Sequence, residues 1–154
     1  MRGQDEGMLK IINPATERVI IELEEDTAET VVQKYQKAAL AQKAWAETPF
    51  STRKAAIEKF NQLLKERQQE LAGILTSEVG KPIRQSENEL IGVRGRVEFF
   101  LEHTEKYLPP EEVYSTPEIK EIIQYEPLGV VLNISAWNYP YLVSSNVIIP
   151  ALLT

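Results

Sequence analysis

The sequence contains no cysteine, which excludes disulfide cross-links, thiolate metal sites and a cysteine nucleophile within these residues. Histidine occurs once, at His103, so a histidine cluster is excluded as well. Apolar runs are short, and none approaches the roughly 20 residues that a membrane-spanning helix requires. The N-terminal MRGQDEGMLK carries charge without the apolar stretch of a secretory signal. Lysine and arginine form no cluster and the formal net charge is -6, so a phosphate backbone is repelled on average. GxGxxG, the phosphate-binding loop and a Ser-His-Asp arrangement are all missing. These absences argue against nucleic acid, membrane and metal, and leave a cytoplasmic protein as the default expectation.

What is present is ordinary for a folded chain. Of the 154 residues, 43% are apolar and 26% charged, far from the composition of disordered polypeptides. Leu9 to Ile12 and Arg18 to Leu23 read as extended runs joined by Asn13-Pro14-Ala15-Thr16, which predicts a β-hairpin. Asp26 and Glu29 have capping-box spacing, and Ala28, Val31, Val32, Tyr35, Ala38, Ala39 and Trp45 predict a helix from about Thr27 to Ala46. Pro49 breaks it and Ser51 can cap a second helical region carried by Ala56, Phe60, Leu63, Leu64, Leu71 and Leu75, with Gly80 as a left-handed stop. A third helix is expected from about Ile83 to Tyr107, with Leu90, Val93, Val97, Phe100 and Leu101 inward, ended by Pro109-Pro110.

The character of the sequence changes after that point. EIKEIIQY, Glu118 to Tyr125, alternates with mixed faces and suits an exposed or partner-pairing strand. VVLNI, Val130 to Ile134, is apolar without alternation and predicts a buried parallel strand, followed by a loop and a helix with Pro140 in its first turn. The expected class is α/β: a hairpin and helical layer leading into the first strand of a Rossmann-like parallel sheet. The expected units are 1–108, 109–126 and 127–154.

Asn138, between Trp137 and Tyr139, is the residue whose chemistry stands out. A side-chain amide at the carboxyl end of a parallel strand can donate hydrogen bonds to an oxygen that becomes negative during a reaction. Asn is also a common helix cap, and a helix starting near Pro140 would use one there. Other polar residues suggest less. His103, near a helix C-terminus, reads as solvated, Glu24-Glu25-Asp26 and Glu111-Glu112 as cap and surface charge, Asn88 and Glu89 as a solvated face, and the Trp45 to Pro49 corner as packing.

The ordered motifs INPATERVI, AQKAW, PFSTRKAAI, SEVGKPI and YEPLGVV with AWNYP resemble the N-terminal part of the aldehyde dehydrogenase superfamily, from about residue 9 onward. The resemblance implies oxidation of a small-molecule aldehyde to an acid with NAD or NADP through a cysteine thiohemiacetal. It implies that Asn138 is the catalytic oxyanion donor, that Ile134, Ser135, Ala136 and Trp137 pass along the cofactor, and that Tyr139, Leu142 and Val143 line the aldehyde tunnel. Tyr139 stands where Phe is frequent, and Ala136 where Pro is frequent. The nucleophilic cysteine, the general base and the cofactor lysine of relatives find no counterpart in these residues, so the chain is expected to be a truncated N-terminal portion, inactive by itself. The resemblance further implies a homo-oligomer, paired through the segment containing EIKEIIQY. The alternative is a non-catalytic module that associates with itself or a partner.

Overall fold

Asn13 sets the first turn of the computed structural model, which describes residues 7–154. Its side-chain oxygen accepts from the backbone N–H groups of Ala15 at 2.9 Å and Thr16 at 3.2 Å, the self-bonded bend that Asn favours. The hairpin expected from the sequence forms on either side of it: β1 (Met8–Ile12) pairs antiparallel with β2 (Val19–Glu24), with an irregularity between Ile11 and Ile12. The charged stretch MRGQDEGMLK begins outside the described residues.

Helix α1 (Ala28–Ala46) starts one residue later than its acidic signal suggests. Thr27 is the cap, in a reciprocal capping box with Thr30 rather than the expected Asp26–Glu29 pair. Asp26 instead accepts from the Thr30 hydroxyl at 2.8 Å and pairs with Lys34. Lys34 first, and Thr30 second, hold its carboxyl below the usual range.

The second helical region is two helices, α2 (Phe50–Glu66) and α3 (Gln68–Val79), broken at Arg67. Side-chain periodicity runs through the break, and neither Gly nor Pro marks it, so the pattern gave no warning. Pro49, without a side-chain cap, precedes α2, and Ser51 lies inside the helix. Gly80 closes α3 with φ 78°, the predicted left-handed stop. Helix α4 (Ile83–His103) tightens into a 3-10 turn at Thr104–Tyr107 before Pro109.

The centre of the molecule is where α2, α4 and α5 (Pro140–Leu153) meet. Ile57 and Leu64 come from α2, Val93 and Val97 from α4, Ile149 and Leu153 from α5. Ala72 and Leu75 of α3 and Leu90 of α4 are also buried, and the Thr76 and Ser86 hydroxyls meet at 2.8 Å between α3 and α4. A second hairpin, β3 (Glu111–Ser115) with β4 (Lys120–Ile123), is exposed along its whole length.

Residues 124–136 contain no strand. The expected buried strand at VVLNI is therefore a correction: Leu132 is 83% and Ile134 85% exposed. Strand structure is defined by hydrogen bonds to a neighbour, and among the described residues the two sheets are the separate hairpins β1–β2 and β3–β4. The observed architecture is a helical centre with two antiparallel hairpins, and a parallel sheet is not among its described parts.

Candidate functional site

Residues 134–143 form the approach to α5 and its first turn, so the site is built where an irregular segment enters a helix. Pro140 opens that helix with its φ already set and no N–H to satisfy. The next free N–H groups, of Tyr141 and Leu142, are usually taken by a capping side chain just upstream. Here they are taken from another helix. The Glu89 carboxylate on α4 accepts from Tyr141 N–H at 2.9 Å and Leu142 N–H at 3.1 Å.

This corrects the reading of Glu89 as part of a solvated face, since the residue is 2% exposed. Asn88 beside it does face solvent. The signal was present in the helical spacing: Ser86, Glu89, Leu90, Val93 and Val97 form one buried stripe of α4, and a carboxylate on such a stripe requires partners. It also corrects the capping alternative for Asn138. The residue at the cap position is Tyr139, with no side-chain cap, and the cap is supplied by Glu89.

Lys81 completes the arrangement. Its ammonium pairs with Glu89 in an ion pair whose side chains are 9% and 0% exposed. It also donates to the backbone carbonyl of Asn138 at 2.9 Å and lies 4.2 Å from the centre of the Tyr139 ring. The same element pair is close at Gly92, where an added Cβ would touch Leu142 at 3.7 Å. Burial, followed by the charges of Glu78 and Glu89, pushes the Tyr141 phenol above its ordinary pKa, so it stays neutral across the physiological range.

The far end of α5 is held as firmly. The buried Arg53 donates through Nε to the Leu153 carbonyl at 3.1 Å and through a second nitrogen to the Thr48 carbonyl. Trp45 donates its indole N–H to the Leu152 carbonyl at 3.0 Å, so the corner read as packing is also a hydrogen-bond anchor. A carboxylate at the start and a guanidinium at the end both complement the helix dipole.

The predicted site residues are placed as follows. Ile134, Ala136, Trp137 and Asn138 are exposed, Trp137 at 78%. Ser135 is half-buried, its hydroxyl 2.6 Å from that of Ser144 and bonded to Asn133. Tyr139 stands over Lys81, while Leu142 and Val143 are half-buried on α5. Among the described residues, no hydrogen bond engages the Asn138 side-chain amide, which leaves its donors open to a ligand. His103 is tied to its own helix, stacked on Phe99 and 2.8 Å from the Phe99 carbonyl, and belongs to no site.

A cavity of about 740 Å³ lies elsewhere. It is an apolar groove between α1 and α5, walled by Ala41, Trp45, Val130, Val131, Ile148 and Ala151. Val130 and Val131, which pair with no strand among the described residues, line it.

A dinucleotide is tested by the donors available. The exposed faces of Ile134 and Trp137 can support the flat, ribose-bearing end of such a molecule. A phosphate has no seat at α5, because the carboxylate of Glu89 already holds the first N–H groups of that helix.

The model of the aldehyde dehydrogenase family matches residues 1–154. The chain is 31% identical to succinate semialdehyde dehydrogenase [NAD(P)+] of Escherichia coli (strain K12), over 84% of this chain and 28% of that protein. It is 31% identical to D-glyceraldehyde dehydrogenase (NADP(+)) of Thermoplasma acidophilum, over 92% of this chain and 29% of that protein. Its fold superposes on betaine aldehyde dehydrogenase of Staphylococcus aureus, solved with NAD+, with a TM-score of 0.90 and 29% identity, covering 100% of this chain and 31% of that one. The chain thus spans about a third or less of the length of these relatives. Across its whole length, the chain belongs to the aldehyde dehydrogenase family.

Proposed function

We propose that these residues serve the NAD- or NADP-dependent oxidation of a small-molecule aldehyde to a carboxylic acid, with Asn138 as oxyanion donor. The observation that carries this reading is an exposed Asn138 amide with no hydrogen bond among the described residues, on a backbone pinned by Lys81. The nucleophile is a thiolate supplied from outside these 154 residues, which contain no cysteine. Its attack on the aldehyde carbon forms a C–S bond and moves the carbonyl electron pair onto oxygen. The Asn138 amide donates to that oxygen, and an amide held in place beforehand stabilises the charge without reorganising.

In this reading Ile134, Ser135, Ala136 and Trp137 flank the nicotinamide-ribose half of the cofactor, whose bound nicotinamide supplies the two-electron acceptor. The exposed apolar surface of Ile134 and Trp137 supports that role, and the phosphates are held by residues outside this chain. Tyr139, Leu142 and Val143 line the aldehyde's path. Val130 to Ile134 joins a Rossmann-like parallel sheet contributed by other residues, which accounts for its unpaired backbone and exposed apolar side chains. The protein is cytoplasmic and homo-oligomeric, with residues 109–126 as the pairing segment.

The test is Asn138→Ala in an aldehyde-oxidising enzyme that contains these residues. The expected result is a loss in kcat on the order of 10²- to 10³-fold, with KM little changed. Unaltered kcat removes the oxyanion role. These residues alone are expected to form no NADH from aldehyde and NAD, because the thiolate is lacking; formation above blank overturns that expectation.

A second reading, a non-catalytic module that associates with itself or a partner, is favoured by the apolar faces of α1 and both hairpins, which stay exposed. It predicts association in the absence of any effect of Asn138→Ala.

A further inference from the structure

We infer that Lys81 and Glu89 are positioning residues that aim the Asn138 amide; the inference rests on the oxyanion reading of Asn138. The buried ion pair grips the chain at Asn138 and again at Tyr141 and Leu142. Lys81 binds the carbonyl of Asn138 itself, at 2.9 Å. Glu89 binds the N–H groups of Tyr141 and Leu142, at 2.9 and 3.1 Å. The Tyr139 ring between them rests against the Lys81 ammonium. The turn 138–142 is thereby referenced to α4, which supplies Val93 and Val97 to the packed helical centre, and to the Gly80–Pro82 corner that leads into α4.

Two physical points favour aim over bulk stability. Apolar residues of similar size often stabilise a core as well as a buried ion pair does, whereas an ion pair with directional partners restricts the geometry around it. Charge also matters: the carboxylate alone would repel an oxyanion forming nearby, and Lys81 neutralises it. Helix α5 is capped while the turn carries no net charge, and the Asn138 donors remain available. A displacement of about 1 Å at a reacting centre can cost on the order of a hundredfold in rate, so a loosened turn is expected to act on kcat.

The experiment has two arms. In the 154-residue chain, hydrogen exchange by NMR is measured for the Tyr141 and Leu142 amides, with Val93 and Val97 of α4 as internal controls. Lys81→Met and Glu89→Gln are each expected to accelerate exchange at Tyr141 and Leu142 about tenfold or more while the controls stay protected. Unchanged exchange at both positions overturns the inference. Glu89→Gln keeps the side-chain shape and carries this arm if Lys81→Met releases the controls as well. In an aldehyde-oxidising enzyme containing these residues, both variants are expected to lower kcat about tenfold to a hundredfold with KM little changed, and Lys81→Arg to recover part of the loss. Unchanged kcat, where Asn138→Ala does lower it, overturns the inference. If Asn138→Ala itself leaves kcat unaltered, the oxyanion reading fails, and the exchange arm separately decides whether the ion pair holds the turn.

Discussion

At the scale of single residues, the charged side chains that matter most are those that leave the surface. Glu89 and Lys81 hold the start of α5, and Arg53 holds its end. Arg53 is 8% exposed and directs its nitrogens at the carbonyls of Leu153 and Thr48. A charged donor with buried acceptors contributes more than a neutral hydrogen bond, because removing it strands carbonyls away from water. Arg53→Met is accordingly expected to lower stability by about 2 to 3 kcal/mol, read from urea unfolding, while Trp45 fluorescence reports loosening against α5. A change within about 0.5 kcal/mol, the range of ordinary surface substitutions, would show that these bonds do not support the helix. The sequence showed Arg53 only as part of the PFSTRKAAI motif. Its buried partner, the Leu153 carbonyl, lies 100 residues away in the chain, beyond the reach of helical periodicity.

At the scale of elements, local rules describe most of the molecule. The Asn13 turn, the stop at Gly80, Pro140 in the first turn of α5 and the end of α4 before Pro109 all follow from backbone stereochemistry. Gly80 is required twice over, by its φ of 78° and by Pro14, whose Cγ would lie 2.6 Å from an added Cβ. Gly80→Ala is therefore expected to destabilise by about 1 to 2 kcal/mol from the left-handed backbone alone, with the displacement of Pro14 adding to it. Gly73 is the control: it lies within α3 with nothing within 4 Å of its Cβ position, and Gly73→Ala is expected to be neutral or to stabilise by up to about 1 kcal/mol. Equal thermal midpoints for the two variants would refute this account. Local rules failed at Arg67, where the break between α2 and α3 is a backbone excursion of one residue with no Gly or Pro to announce it.

At the scale of the whole molecule, apolar surface is unevenly covered. The helical centre is buried, whereas Val31, Val32 and Tyr35 of α1, Leu132, Ile134 and both faces of β3–β4 remain about half exposed or more. Contiguous apolar surface and open strand edges favour association. The 154-residue chain is expected to gain apparent mass with concentration by light scattering, and Ile122→Lys with Ile119→Lys to weaken that gain; a constant monomer mass would refute it. By itself, the sequence determined what depends on neighbours in the chain: hairpin, helices, stops and the motifs of the aldehyde dehydrogenase family. Tertiary structure alone decided that Glu89 caps a helix from another helix, that Lys81 grips Asn138, and that Val130 to Ile134 finds no strand to pair with among the described residues. Each of these depends on a partner brought from far along the chain, or on a neighbouring strand, and spacing within one segment carries no record of either.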